Sequence, residues 1–495
     1  MKLHLPKALF AAVAGVIFAA NAQAALERIT VTDASITKDV TQTSGSVYGV
    51  AENEIAVEGA AHEITINVKN GAKVEDVIGG IQFSPKDYNN DDHLTDATLD
   101  GGVTVNVASG ATVTGTVYGG NVISQPDFGM ETEEYAEALG DKKNAGPIVI
   151  NIDGATIGTI GGDSEAIMGG GGRHCGTETG HGITVNISGD AKINNLVYAG
   201  TNGGTTYGTN LNISGGTFEA DVYGAGRKGY GVVDGDTNVS ISGGTFKGNI
   251  YGAGNEDTVK GNTNVTITGG TIQGTVYGGG TNGAKVNGSK NLVVDSEDAT
   301  AHISVSVSDF DNITVNSATT FTGLEIAEGG THIDVATEAS LTINELMTSV
   351  STADVESQSL LSFSGNVSFA SDIVFTIVIT DELLAQGSQE VTLDLIETSQ
   401  FLLAFNLKAD LEKQGIGARN FKFISESGED LTNGSCTFDS LSASILDDFD
   451  AENGSMPKGA VGVSVTITSE NIPEPTTATL SLLALAALAG RRRRK

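Results

Sequence analysis

Tryptophan is absent from this 495-residue chain, cysteine occurs twice, and only 27 lysines and arginines stand against 61 acidic residues. Without tryptophan, the large aromatic platforms that stack sugar rings are scarce. Two cysteines, Cys175 and Cys436, make neither a disulfide scaffold nor a cysteine metal cluster. They are expected as inert thiols, and the sequence leaves open whether they pair. His174 precedes Cys175, but no nucleophile motif surrounds that pair. A formal charge of -34 excludes nucleic acid and other polyanions as partners unless cations bridge.

Familiar catalytic signatures are also missing. There is no Ser/His/Asp elbow and no HExxH. Gly224-Ala225-Gly226-Arg227-Lys228-Gly229 matches the dinucleotide fingerprint, yet Tyr230-Gly231-Val232-Val233-Asp234-Gly235 follows where a helix is needed. It reads as a turn. Asp87, Asn89 and Asp91 have calcium-loop spacing, but Asp92 stands where glycine is wanted and Thr98 where a bidentate acid is needed. No catalytic residue, metal or cofactor is expected. The pairs Arg173-His174 and Arg227-Lys228, with Asp234 and Asp236 nearby, are the group a polysaccharide lyase or hydrolase would have to use.

What is present begins at the two ends. Lys2 and Lys7 precede an apolar run over residues 8–20, and Ala22-Gln23-Ala24 supplies a small-residue cleavage site. A signal peptide over residues 1–24 and Sec export are expected, with Ala22 and Ala24 marking the cut. At the other end, Pro473-Glu474-Pro475 precedes an apolar stretch over residues 476–490, then Arg491-Arg492-Arg493-Arg494-Lys495. As a helix this stretch would be greasy on every face and roughly 22 Å long, a marginal span of a ~30 Å hydrocarbon layer. The cations would hold its end on the cytoplasmic side. The signal peptide carries a net +2 and the tail from Pro473 a net +4, so the region between them holds -40.

The tail, placed at residues 471–495, resembles the PEP-CTERM sorting signals of Gram-negative bacteria, with all three parts in order from Pro473 to Lys495. The resemblance implies processing by an exosortase, a membrane-embedded cysteine transpeptidase, beside Pro473, Glu474 and Pro475. Arg491, Arg492, Arg493 and Arg494 would be the stop. It also implies membrane attachment through the tail before processing, then display at the cell envelope or release. It says nothing of what the exported region binds.

Between these ends the chain repeats itself. Ile187-Ser188-Gly189, Ile213-Ser214-Gly215, Ile241-Ser242-Gly243 and Ile267-Thr268-Gly269 recur at spacings of 26, 28 and 26 residues. Each is followed by Ile193, Phe218, Phe246 or Ile272, then by a pair ending in Tyr198, Tyr223, Tyr251 or Tyr277, then by a glycine-rich corner. Weaker copies run from Ile66-Asn67-Val68 to Val77, from Val105-Asn106-Val107 to Tyr118, and from Ile150-Asn151-Ile152 to Ile160-Gly161. Val185 and Ile187 flank Asn186, and Val239 and Ile241 flank Ser240. This is the period-two pattern of a half-buried strand. A unit this small cannot bury its own apolar face and must stack on copies of itself.

The expected fold is therefore all-β: a parallel, right-handed β-helix (β-solenoid), with an antiparallel β-sandwich as the competing fold. About eight coils at ~4.8 Å each would make a shaft of roughly 40 Å. Phe218 should lie over Phe246, and Tyr118, Tyr198, Tyr223, Tyr251 and Tyr277 should form a structural stack. Glycine-rich coils are placed at residues 25–300, irregular coils at 301–371, and a β-rich C-terminal cap at 372–470, followed by the sorting tail with its short hydrophobic helix. Inserts at residues 84–100 and 125–146 are the expected binding face. The coils also resemble autotransporter passenger domains, although the chain ends in a sorting tail instead of a membrane barrel. The expected role is a non-enzymatic adhesin or structural component of the envelope or matrix with envelope or host glycans as partners; the alternative is a polysaccharide-active β-helix enzyme.

Overall fold

The computed structural model describes residues 34–50, 59–83, 97–99, 101–123, 146–160, 165–172, 177, 180–227, 231–296, 298, 302–350, 360–432, 434–446 and 457–468. Both inserts, the acidic loop with calcium-like spacing, the signal peptide, the sorting tail and its hydrophobic helix lie outside these residues or almost wholly so. The chain divides into two units, one up to Thr319 and one from Thr320.

The first unit is a parallel β-solenoid. Its long face stacks Ala34–Val40, Gly59–Val68, Val103–Val107, Ile148–Asp153, Ile183–Ser188, Thr209–Ile213, Thr237–Ile241, Thr263–Ile267, Lys290–Val294 and Asn312–Val315 in parallel register. Inward positions align coil on coil: Ile66, Val105, Ile150, Val185, Leu211, Val239, Val265 and Leu292 form one buried column. This is the Val/Ile ladder that the alternation and the repeat spacing require together. Each layer buries apolar faces it could not bury alone, at about 25 cal/mol per Å².

A second face carries the tyrosines, and a third stacks seven two-residue strands from Lys73–Val74 to Thr271–Ile272. Four later coils add a fourth short sheet, Thr205–Thr206, Val232–Val233, Thr258–Val259 and Lys285–Val286. The repeat spacing had not announced it. On the third face Phe218 and Phe246 stack at 4.6 Å and 7°. On the second, Tyr198, Tyr223, Tyr251 and Tyr277 stack at 4.6 to 4.8 Å. Met168 separates Tyr118 from Tyr198, since it registers with both.

One expected copy is corrected. Ile160 was to occupy the place equivalent to Val117, but its side chain is 80% exposed, and Ile167 registers with Val117 and Val197 instead. After Thr156–Ile157 the backbone turns through Gly158, at φ +81°, and the strand resumes only at Glu165–Met168.

The two glycine corners use glycine for different reasons. Gly244 has φ +98°, a region costly to side-chain-bearing residues. Gly224 has no such angle; a Cβ on it would lie 2.4 Å from the Gly252 carbonyl oxygen of the next coil. Gly224→Ala is therefore expected to destabilise the unit by about 1–3 kcal/mol in urea unfolding. Gly45→Ala, where a Cβ meets nothing within 4 Å, should change stability by less than about 0.5 kcal/mol. Equal midpoints for the two variants would refute the close-approach argument.

The second unit begins with parallel pairing and changes to antiparallel. Thr331–Val335 pairs with Leu361–Ser364, which pairs with Gln389–Thr398, while Leu341–Val350 pairs with Val367–Ile379 and that with Phe421–Ser425. Gln389–Thr398 then takes Gly459–Ile467 antiparallel on its other edge, and Cys436–Ile445 completes the three. Helix α1 (Asp381–Ala385) is capped by Thr380 Oγ1, which accepts from the Leu383 N–H. Helix α2 (Phe401–Lys413) buries Ala404 and Leu411. A Cβ on Gly459 would lie 2.7 Å from the Phe401 Cα, which shows how closely α2 crosses the antiparallel strands. Phe375, Phe421 and Phe438 stack at 4.9 Å.

Candidate functional site: an uncharged asparagine face

The same alternation that buries one side of the long face paves the other. Between Val185 and Ile187 the side chain of Asn186 points outward, and parallel register sets it over Asn151, Asn106 and Asn67 on one side and Asn212 on the other. The amides form a chain. Asn212 Nδ2 donates to Asn186 Oδ1, Asn186 to Asn151, Asn151 to Asn106 and Asn106 to Asn67, each at 2.8 Å. The chain ends where Asn67 donates to Asp39 Oδ1, and that bond holds the Asp39 carboxyl below the usual carboxylate range.

A second amide chain, offset by two residues along the strands, runs from Asn312 through Asn291, Asn264 and Asn238 to Asn210, at 2.9 to 3.1 Å. The strand Thr209–Ile213 contributes to both. Each interior ladder amide donates one N–H and accepts one bond within the stack, which leaves a second N–H and a second lone pair outside the ladder. From Thr65 and Asn67 to Asn312 and Thr314, the two central outward positions on each of nine coils hold ten Asn, five Thr, one Ser and two Val. None of these eighteen is charged, in a chain whose residues are 18% charged, while Glu63, Asp153 and Asp39 stand exposed at the margins of the two columns. Beside this face lies an open depression of about 470 Å³, lined by Tyr207, Asn210, Asp236 and Asn238 among others.

The buried tyrosines are structural. Tyr198 is 1% exposed, and burial pushes its hydroxyl, with those of Tyr223 and Tyr251, above the ordinary range. Asn249 Nδ2 donates to the Tyr251 hydroxyl at 3.1 Å. No sugar ring can reach faces that already stack on each other.

Of the charged groups singled out in the sequence, the described ones, Arg227, Asp234 and Asp236, are each engaged in contacts of the fold. Arg227 pairs with the buried Glu165. Asp234 faces Lys260 at 3.3 Å, and Asp236 Oδ1 accepts the Asn262 N–H at 2.7 Å, so both acids serve coil-to-coil contacts. Arg173, His174, Cys175 and Lys228 lie outside the described residues; Cys436 is free and buried, and burial pushes its thiol up to about 11. The signature corner Gly224-Ala225-Gly226 serves close stacking: a Cβ on Gly226 would lie 2.3 Å from the Thr201 carbonyl oxygen. Among the described residues no three His, Cys, Asp or Glu side chains converge as metal ligands.

Two groups had no sequence signal. Lys290 Nζ lies 2.5 Å from Asp309 Oδ1 and 3.6 Å from Asp311 Oδ1, while the Lys290 N–H donates to Asp311 Oδ2 at 2.8 Å. With those oxygens committed to one lysine, the trio clamps Lys290–Val294 to the 309–311 turn. Asp257, 1% exposed, accepts the Gly226 N–H at 2.6 Å through Oδ2, and burial pushes its carboxyl up to about 7. The asparagine face did leave a trace, because Asn67, Asn106, Asn151 and Asn186 recur between branched residues. Which ones bond was decided by register.

Ala22, Ala24, Pro473, Glu474, Pro475 and Arg491, Arg492, Arg493 and Arg494 lie outside the described residues. Neither the curated proteins nor the solved structures gave a match to the chain. Residues 471–495 match the family model described as the PEP-CTERM protein-sorting motif, which indicates export and cell-surface sorting in a Gram-negative bacterium and implies processing by an exosortase.

Proposed function

We propose that this chain is a non-enzymatic adhesin or structural component of the cell envelope or extracellular matrix. It leaves the cytoplasm by the Sec route, is cut beside Pro473-Glu474-Pro475, and presents its solenoid to glycans of the envelope or of a host surface. The sorting-motif match over residues 471–495 carries this reading. The stacked coils support it, because a repeated outer face offers many equivalent weak contacts to an extended partner.

Protease shaving and antibody labelling of intact cells test it. Wild-type chain is expected at the surface in processed form. The triple variant Pro473→Ala/Glu474→Ala/Pro475→Ala is expected to accumulate as full-length precursor in the membrane fraction. Normal processing and display of that variant would refute the sorting step, and unchanged surface attachment and matrix retention of cells lacking the protein would refute the adhesive or structural role.

The second reading, a polysaccharide-active enzyme, has one observation in its favour: Lys290 with Asp309 and Asp311 brings a lysine and two carboxylates together. New reducing ends from a polysaccharide, lost in Lys290→Met, would establish it over ours.

A further inference from the structure

We propose that the asparagine face of the first unit binds an uncharged, repeating glycan laid along the solenoid axis, with Tyr207 as a stacking platform at one edge. This rests on the reading above and names the surface and the ligand class it would use.

Charge comes first. The eighteen central outward positions carry no ionised group in a chain with formal charge -34, and Glu63, Asp153 and Asp39, exposed at their margins, are all acidic. A polyanion approaching this face would meet the repulsive field of the whole molecule and no cation among those positions, the nearby Lys69 and Lys290 being paired with aspartates. A neutral polymer pays neither that repulsion nor the cost of desolvating a charge. A lipid surface would gain nothing from a face of amides and hydroxyls.

Periodicity selects next. Each coil offers an amide N–H and a lone pair at the ~4.8 Å strand spacing. One such contact exchanges water for ligand and is worth about 0.5–1.5 kcal/mol net. A single sugar would therefore bind weakly. A ligand that repeats gains from each further contact, because after the first is made the rest are intramolecular. Sugar hydroxyls both donate and accept, which suits an amide presenting one donor and one acceptor together. An added peptide strand would need free backbone groups, and those of the long face are paired coil to coil.

Tyr207 adds the aromatic element. It lies off the buried stack, half-buried, in the depression it shares with Asn210 and Asn238. An aromatic face beside amides is the usual composition of a sugar subsite. Asp236 on the rim is committed to the Asn262 N–H.

The test uses the purified full chain in affinity electrophoresis with dextran, amylose and a mixed-linkage β-glucan as neutral probes and alginate as polyanion. Thr184→Glu/Thr266→Glu and Thr184→Lys/Thr266→Lys place charge on the face without removing a ladder amide; Thr217→Glu/Thr245→Glu does the same on the third face. Melting curves confirm folding of each. At least one neutral probe is expected to bind the wild type, more tightly as its chain lengthens. Either charge on the face should weaken it about tenfold or more, the loss of roughly one to two contacts. Tyr207→Ala should weaken it, and the third-face pair should not. The proposal is overturned if no neutral probe binds, if alginate binds instead, or if the face variants bind as wild type. It is also overturned if sedimentation shows a dimer that only the face variants dissolve, which would give the face to a second copy. Failure here with surface display intact leaves the sorting and envelope reading standing.

Discussion

Phe246→Ala is expected to lower the unfolding free energy of the solenoid by about 3–5 kcal/mol, the usual cost of emptying a buried phenylalanine site. Phe246 and Phe218 are both 0% exposed, and their rings lie 4.6 Å apart and 7° from parallel. Ile193 and Ile272 occupy the same column in the coils on either side. Parallel register holds the neighbours at one strand spacing, so they cannot collapse into the space and a cavity persists. Each coil rests mainly on its neighbours, so the loss should be felt by the whole stack as a lower midpoint. Urea unfolding of the full chain reads it, with Phe405→Ala as the control, since Phe405 on α2 is 57% exposed and should cost less than about 0.5 kcal/mol. The double variant Phe218→Ala/Phe246→Ala should depart from additivity by about 0.5–1.5 kcal/mol, because the removed rings touch. Equal losses at Phe246 and Phe405 would remove the parallel stack as the source of stability.

The second large effect concerns pH. Burial raises the Asp257 carboxyl from its ordinary 3.8 to about 7, so the folded state holds this proton more tightly than the unfolded chain does. The contribution of this group to stability is complete below about pH 4. It declines as pH rises, and is lost above about pH 7, a span worth on the order of 4 kcal/mol. The groups around it are the Gly226 and Gly254 backbone N–H donors, Glu256 next in sequence, and Tyr198 across the corner. Asp257→Asn should remove this slope, whatever its constant offset. Chemical unfolding at steps from pH 4 to 8 measures it as the difference between wild type and variant. A difference that does not vary with pH would mean that Asp257 is solvated or paired at neutral pH.

The solenoid was largely legible in the chain because its two signals are local. Alternation such as Val185-Asn186-Ile187 marks which side chains turn inward, and the near-constant spacing of Ile187, Ile213, Ile241 and Ile267 states the coil length. Together they place Phe218 over Phe246 and Tyr198 beneath Tyr223. Ile160 was misplaced because alternation cannot reveal a turn that delays the next strand, and the return at Ile167 depends on the coils above and below. In the second unit the segments around Asp381, Phe401, Phe421 and Val461 are helices and strands as their composition indicates. The change to antiparallel pairing at Gln389–Thr398 has no repeat to announce it.

By itself, then, the order of residues determined the inward ladder, the aromatic stacks and the sorting tail, since each is written within a few neighbouring positions or one repeat length. Only the tertiary structure decided which outward asparagines join, that Arg227 meets Glu165, and that Asp257 is sealed from water. Those outcomes turn on the register between coils, and register is set by corner lengths and by close contacts such as Gly224 against Gly252. No single segment contains that information.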